Sequence, residues 1–436
     1  MRGNFTRPSD CSLEETRCIA DRRAILCAAC RGLGIGLACR AGIPTATGVG
    51  MATGIRTATG AGMATGAGMA TGVGMATGTG LGVGAPAANA AAHTASSPGA
   101  DSGRPSMPGS ASPGDIQAPL HGSRPPLQFP RDHGAHPDRR IEWWYLTAWA
   151  DERTGVQVTI FRARLGRPRR ASLGSDQILI GHVAVVREDW PALVHAQTSW
   201  RSAEGLTVCA ANDMQLQLPG WSMQREPNDA YRMRVEQGRI ALRMLARPPA
   251  APVLQGAAGY SQKGPQAEQF SCYYSRTQMR LEAQIRVDGK DLALEAHGRE
   301  GLAWFDHEWS DQLLDPAAAG WDWFGLNFDD GSAWMGFQIR DRSGGRLWTS
   351  EPDLRIEPIE HWTSPLSGAK YPVGLRIRSR RGVLRLQGLI AAQEIDARAS
   401  TGNRYWEGAV RVLDPQGRRV GRGYLELTGY DRPMRL

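Results

Sequence analysis

The residues best suited to chemistry in this 436-residue chain stand in one stretch, Gly301-Leu302-Ala303-Trp304-Phe305-Asp306-His307-Glu308-Trp309. Three ionisable groups in a row are flanked there by large rings, and Gly320-Trp321-Asp322-Trp323-Phe324 follows closely. A carboxyl held against apolar walls loses hydration of its charged form, so its pKa rises. Such a group keeps a proton to give at neutral pH, and Asp306 is the leading candidate for that acid. In an extended segment, residues 306 and 308 face one side and residue 307 the other. Glu308 is therefore a second catalytic candidate, either positioning water beside Asp306 or bonding an arginine such as Arg276. Trp304, Trp309, Trp321 and Trp323 would supply ring faces to an apolar substrate and to any cation formed on it.

Further candidates lie upstream. On a strand, Glu142 and Trp144 share one face, and Trp143 and Tyr145 the other. Tyr145 is suited to orient a water, and Tyr274 in Tyr273-Tyr274-Ser275-Arg276 is a similar candidate, with Trp144 and Arg276 as substrate-binding residues. Asp132, His133, His136 and His307 raise a metal reading, but His-x-x-His outside a helix does not supply three converging ligands. The expectation is no metal, with His133, His136 and His307 bonding around the acidic motif and contributing to substrate binding. There is no Gly-x-Ser-x-Gly elbow, and no glycine-rich tract ends in the Lys-Ser/Thr of a phosphate loop. A site without cofactors is expected.

The elements that must hold these residues begin late. Residues 1–40 carry five of the seven cysteines and two short apolar pieces interrupted by Arg31, a poor match to a secretory leader. From Gly48 to Gly84 the chain repeats Gly-Met-Ala-Thr-Gly, and an Ala/Ser/Pro/Gly linker follows to Pro126. Residues of this kind cannot bury enough apolar surface to offset chain entropy, so 1–126 is expected to be a disordered low-complexity tract and linker. After it, short aromatic and β-branched segments alternate with Gly, Asp and Pro signals. They include Glu142–Ala150, Val156–Leu165, Gln177–Arg187, Leu206–Ala211, Met214–Leu218, Tyr231–Val235, Ile240–Ala246, Thr277–Val287 and Leu292–Gly298. Past the central motif come Trp321–Asp329, Ala333–Arg340, Gly374–Arg378, Gly382–Leu389, Tyr405–Val412 and Gly423–Tyr430. Many short strands at such spacing favour barrels or sandwiches. An all-β protein of two β-barrel-like domains, 127–309 and 310–436, is expected.

Net charge is +8, carried almost wholly by arginine. The arginines interleave with acids except at Arg167–Arg170 and at Arg376, Arg378, Arg380 and Arg381, and no nucleic-acid-binding module accompanies them. No nucleic-acid partner is expected. A Cys209–Cys272 disulfide would be compatible with export, and no run approaches the roughly 20 apolar residues of a membrane-spanning helix.

Several blocks occur in a familiar order: Phe129-Pro130-Arg131-Asp132-His133-Gly134-Ala135-His136-Pro137, Glu142-Trp143-Trp144-Tyr145-Leu146-Thr147, Tyr273-Tyr274-Ser275-Arg276, the stretch 301–309, Gly320-Trp321-Asp322-Trp323-Phe324, Tyr405-Trp406-Glu407-Gly408 and Gly423–Tyr430. Together they resemble the carotenoid 1,2-hydratase (hydroxyneurosporene synthase) family with its AttH-like relatives, from about Phe129 to the C-terminus. The resemblance implies two lipocalin-like β-barrels packed together with a ligand site near their junction. It also implies addition of water to the terminal double bond of an acyclic isoprenoid or similar apolar molecule, without a redox cofactor. In that family an acid matching Asp306 is taken as the proton donor, with a tyrosine two positions before it. Here that place holds Trp304, which cannot relay a proton. The resemblance therefore leaves three readings open: a hydratase, a lipocalin-like carrier of a hydrophobic ligand, or a cofactor-free isomerase or cyclase. Family relatives encoded beside ABC transporters imply an exported, periplasmic or membrane-peripheral location and a transporter or membrane partner, beyond the hydrophobic small molecule itself.

Overall fold

Stretches rich in aromatic and β-branched residues fit a pleated, half-buried surface, and such stretches make almost all of the ordered elements here. The computed structural model describes residues 124–165, 175–294, 301–312 and 314–434. Among these it is all-β, as expected, apart from one 3-10 turn at Arg131–His133. The tract expected to be disordered lies outside the described residues up to 123, as does the Arg167–Arg170 run.

The first sheet contains β1 (Ile141–Trp149), β2 (Thr154–Arg164), β3 (Gln177–Arg187), β4 (Val194–Arg201), β5 (Val208–Cys209), β6 (Gln215–Leu218) and β7 (Trp221–Arg225). It continues with β8 (Tyr231–Gln237), β9 (Ile240–Arg247), β10 (Val253–Leu254), β11 (Tyr260–Gln262), β12 (Phe270–Val287), β13 (Lys290–Asp291) and β14 (Gly301–Ser310). The order is β4-β3-β2-β1-β14-β12-β9-β8-β7-β6-β5, with β10, β11 and β13 also pairing with β12. The sheet curls so that β4 comes back against β8 and β9. The second sheet contains β15 (Ala318–Phe328), β16 (Ala333–Asp341), β17 (Arg346–Thr349), β18 (Arg355–Thr363) and β19 (Lys370–Ser379). It is completed by β20 (Gly382–Gly388), β21 (Glu394–Ala397), β22 (Asn403–Leu413) and β23 (Arg419–Thr428), in the order β17-β16-β15-β23-β22-β20-β19-β18 with β21 on β22.

Where the strands differ from expectation the reason is local. The strand expected to start at Thr277 starts at Phe270, because a bulge between Arg276 and Met279, with Gln278 at φ 55, breaks the alternation partway along β12. The unexpected strands β4 and β18 are edges, polar and half-wet, and β18 carries Pro358. Leu206–Ala211 shrinks to Val208–Cys209, and Leu292–Leu294 is not a strand, with 295–298 outside the described residues. Cys209 and Cys272 are free thiols rather than a disulfide. Arg376 and Arg378 both face Glu357 on the neighbouring strand, at 3.5 and 3.3 Å, and Arg381 lies 3.5 Å from Glu351, so part of the basic run is paired within the second sheet. Among the described residues no helix is long and apolar enough to cross a membrane.

Each sheet closes on a core of its own. One is built from Trp144, Leu146, Ile160, Met223, Tyr231 and Phe305 and their neighbours, the other from Phe324, Leu375, Trp406 and Leu425 and theirs. A third core lies between the sheets, from Tyr145, Trp149, Tyr273 and Trp304 on one side and Trp323, Phe337, Ala409 and Tyr424 on the other. Hydrogen bonds cross there too: Trp149 Nε1 to the Gly423 carbonyl (3.0 Å) and Gln197 Nε2 to the Asp396 carbonyl (2.6 Å). At Gly155 the two sheets approach closely. A Cβ there would lie 2.6 Å from Ala409 Cβ and 2.7 Å from the Tyr424 hydroxyl. Gly155→Ala should therefore cost about 1–3 kcal/mol by overpacking, measured as a lowered urea midpoint with unchanged m-value.

Candidate active site between the two sheets

Alternation along β14 sets the site. Ala303, Phe305 and Trp309 point into the first sheet's core, whereas Trp304 joins the core between the sheets and Asp306 and Glu308 line a cavity there. The register then selects the neighbours: Tyr145 and Ser275 lie across from Asp306, Trp143 and Tyr273 across from Glu308. Asp306 is 2% exposed and accepts three hydrogen bonds, from Ser275 Oγ (2.5 Å), Trp304 Nε1 (2.7 Å) and the Tyr273 hydroxyl (2.8 Å). Trp323 Nε1 in turn donates to the Tyr273 oxygen at 3.1 Å. Burial pushes the Asp306 pKa up to about 7 against these three donors, with the charge of Glu308 adding to the rise.

The remaining acids are handled differently. Glu308 accepts from Ser271 and is paired with Lys263 Nζ at 2.8 Å. Across the cavity, Glu407 and Glu426 are register partners on β22 and β23. The Tyr145 hydroxyl donates to Glu407 Oε1 at 2.6 Å, tying the first sheet to the second. Burial and the Glu426 charge drive Glu407 well above the carboxylate range; burial, opposed by Trp321 and reinforced by Glu308 and Asp306, lifts Glu426 to about 8. The cavity measures about 150 Å³, its ring walls including Trp143, Phe161, Trp321, Trp323, Phe337 and Tyr405. Among the described lining residues four carboxyls face a single ammonium, Lys263.

Of the residues expected at the site, Asp306, Glu308, Tyr145, Trp321 and Trp323 line this cavity, and Trp304 bonds the acid from behind. The others are elsewhere. Tyr274 faces the interior of the first sheet, with its hydroxyl 2.7 Å from His133 Nδ1, because strand parity sends Tyr273 rather than Tyr274 to the junction. The phenol on Asp306 is thus Tyr273, while Tyr145 serves Glu407. Arg276 also points inward, paired with Asp229 and bonded to the Ala250 carbonyl (2.9 Å), and does not reach Glu308. Trp144 stacks on His307 (4.7 Å) and Trp309 on His136 (3.8 Å), inside the same core.

His136 and His307 converge there on Glu142. Its Oε1 lies 2.7 Å from His136 Nδ1 and 2.9 Å from His307 Nε2, and its Oε2 accepts from Arg162 Nε at 2.7 Å. Burial alone would raise the Glu142 pKa, but the bonds from His136 and His307 outweigh it and hold the group well below the usual range. Burial lowers the His133 imidazole to about 3, so it stays neutral. The ligand atoms of His136, Glu142 and His307 lie within 4.8 Å of one another. However, both imidazoles already bond the carboxylate, and a guanidinium occupies its other oxygen. That donor set suits a cation already supplied by the protein better than a metal ion, and it anchors the 131–136 segment to β1, β2 and β14.

Sequence reasoning missed Tyr273, Ser275, Lys263, Glu407 and Glu426. Parity supplied a signal for the first two, since residues two apart share a face. Nothing local marks Glu407, which reaches the cavity only because the second sheet docks on the first.

A model of the AttH-like family matches residues 121–430. A crystal structure of a Nitrosomonas europaea protein assigned to AttH is 36% identical, with TM-score 0.64, covering 72% of this chain and 100% of that one. Kievitone hydratase from Nectria haematococca is 14% identical with TM-score 0.49, covering 70% and 93% respectively. CghA with Sch210972 is 13% identical with TM-score 0.40, covering 68% and 89%. No curated protein matches the chain.

Two outcomes follow from the electrostatics. Asp306 holds a proton in the folded state between its ordinary pKa and about 7, where the unfolded chain has released it. Raising pH through that window should therefore lower stability, by up to about 4 kcal/mol from this group. Denaturant midpoints from pH 4 to pH 8 should show a shallower decline in Asp306→Asn. Glu142→Gln leaves the Arg162 charge buried and unmatched, and should cost about 3–5 kcal/mol in the same measurement.

Proposed function

This chain belongs to the AttH-like family, and we propose that it adds water to a carbon–carbon double bond of an acyclic isoprenoid or similar apolar molecule by acid catalysis. The observation that carries this reading is Asp306, a carboxyl with a pKa near 7 in a cavity walled by rings. Protonation of a terminal trisubstituted alkene forms a tertiary cation, which water then captures. Asp306 supplies the proton, transferring it to the less substituted carbon. The faces of Trp321, Trp323 and Phe337 stabilise the positive charge. Glu308, fixed by Lys263 and Ser271, is suited to hold the incoming water and to accept its proton. A cavity of about 150 Å³ suits the reacting end of a ligand rather than a whole long chain, since an engineered cavity of about this size holds one benzene. The sequence resemblance to carotenoid 1,2-hydratases supports the same chemistry.

One observation favours a second reading, carriage of a hydrophobic ligand. Asp306 has three protein donors already, and Trp304 offers an N–H that bonds but does not relay. A carrier of this kind would fit an exported or membrane-peripheral place beside an ABC transporter.

Incubating the full chain with the acyclic carotenoid neurosporene should give a tertiary alcohol detectable by chromatography and mass spectrometry. Asp306→Asn should lower turnover about 10²–10⁴-fold while binding persists, and wild-type turnover should fall as pH rises through about 7. Undiminished turnover in the variant sinks Asp306 as the donor. Binding without product in the wild type favours the carrier.

A further inference from the structure

Two buried polar atoms, on residues that line the cavity, have no hydrogen-bond partner among the described residues: Glu407 Oε2 and Gln157 Oε1. Buried oxygens are rarely left so, because each forfeits water without replacing it. Glu407 is 2% exposed, and its other oxygen already accepts the Tyr145 hydroxyl proton. The groups around the cavity are Tyr145 from β1, Gln157 from β2, His182 from β3, Tyr273 from β12, Asp306 and Glu308 from β14, Tyr405 from β22 and Glu426 from β23. Tyr424 adds a further phenol, and the nearby ammonium of Lys263 is spent on Glu308. Nothing in that set neutralises a Glu407 carboxylate, so the group keeps its proton. With Oε1 occupied as an acceptor, the proton sits on Oε2, where a donor lacks an acceptor. Burial and the neighbouring acid push its pKa in the same direction.

We propose that Glu407 is the polar anchor of the cavity: its free carboxyl O–H donates to an oxygen of the ligand, so that an oxygenated apolar compound, a carbonyl or alcohol on an isoprenoid-like skeleton, is held in preference to a bare hydrocarbon. This rests on reading the cavity as the seat of an apolar ligand, and narrows that ligand's class. A carboxylic acid kept neutral by its surroundings is an effective donor to a carbonyl oxygen. Gln157, on the first sheet's wall, leaves a second polar position open to the same ligand.

The test compares citral with myrcene, ten-carbon molecules of like skeleton that differ by an aldehyde, bound to the full chain and followed by tryptophan fluorescence. The wild type should bind citral about tenfold or more tightly than myrcene, the worth of one hydrogen bond to a buried donor. Glu407→Leu should abolish the preference, and Glu407→Gln, which retains an N–H donor, should keep most of it. Should Glu407→Leu fold poorly, infrared difference spectra of the wild type supply the second readout. The component of the protonated-carboxyl stretch that Glu407→Gln removes at neutral pH should shift when citral binds, the remainder of the band coming from Asp306 and Glu426. Equal or absent binding of the two probes, a preference that survives Glu407→Leu, or a carboxyl band indifferent to citral overturns the proposal. Asp306→Asn should keep the citral preference, so loss of the hydration reading leaves these outcomes readable.

Discussion

Strand β14 is buried on both faces, and this constraint organises the rest. A strand with one wet face can tolerate charge there, but here each side chain must find partners in one core or another. Asp306 and Glu308 fall on the side that meets the second sheet, and His307 on the side that meets the first sheet's interior. Neighbouring residues thereby enter two polar systems separated by one layer of backbone.

The two systems solve the burial of charge in opposite ways. Inside the first sheet, Glu142 is surrounded by donors and a guanidinium, so ionisation is favoured despite complete burial. Between the sheets, burial makes carboxyls retain protons, because acids outnumber cations there and little positive charge offsets the lost hydration. The same kind of side chain becomes a fixed counter-ion in one place and a carboxyl that keeps its proton in the other. The first arrangement secures the strands that carry the second.

Trp304 stands where the resemblance to carotenoid 1,2-hydratases implies a tyrosine, and it still bonds the acid. An indole cannot pass a proton along, yet its N–H occupies a position on Asp306 Oδ1 that stabilises the charged form. The acid therefore keeps a local bond at that place, while the phenolic contact comes from Tyr273 on the adjacent strand. Tuning of the acid is divided between two strands and a sheet, with β12 supplying two donors, β14 one, and the second sheet closing off water.

The all-β class was legible in the sequence, because alternation and turn residues are local signals, and so was the pairing of Asp306 with Glu308 on one face, because strand periodicity is two. The same periodicity went unused at β1: Trp144 was expected at the site, whereas Trp143, which shares a face with Tyr145, lines the cavity. Which of Tyr273 and Tyr274 meets Asp306 needed the register of β12 on β14, fixed by pairing across more than thirty residues of chain. The inward turn of His136, Trp309 and Arg276 depended on which face became the first core. Glu407 and Glu426 were beyond local reading altogether: they lie a hundred residues downstream in another sheet. Their protonation exists only because docking removes water from both sheets at once. Sequence determines what each residue is able to do; packing decides which residues share a cavity and therefore which charge each must carry.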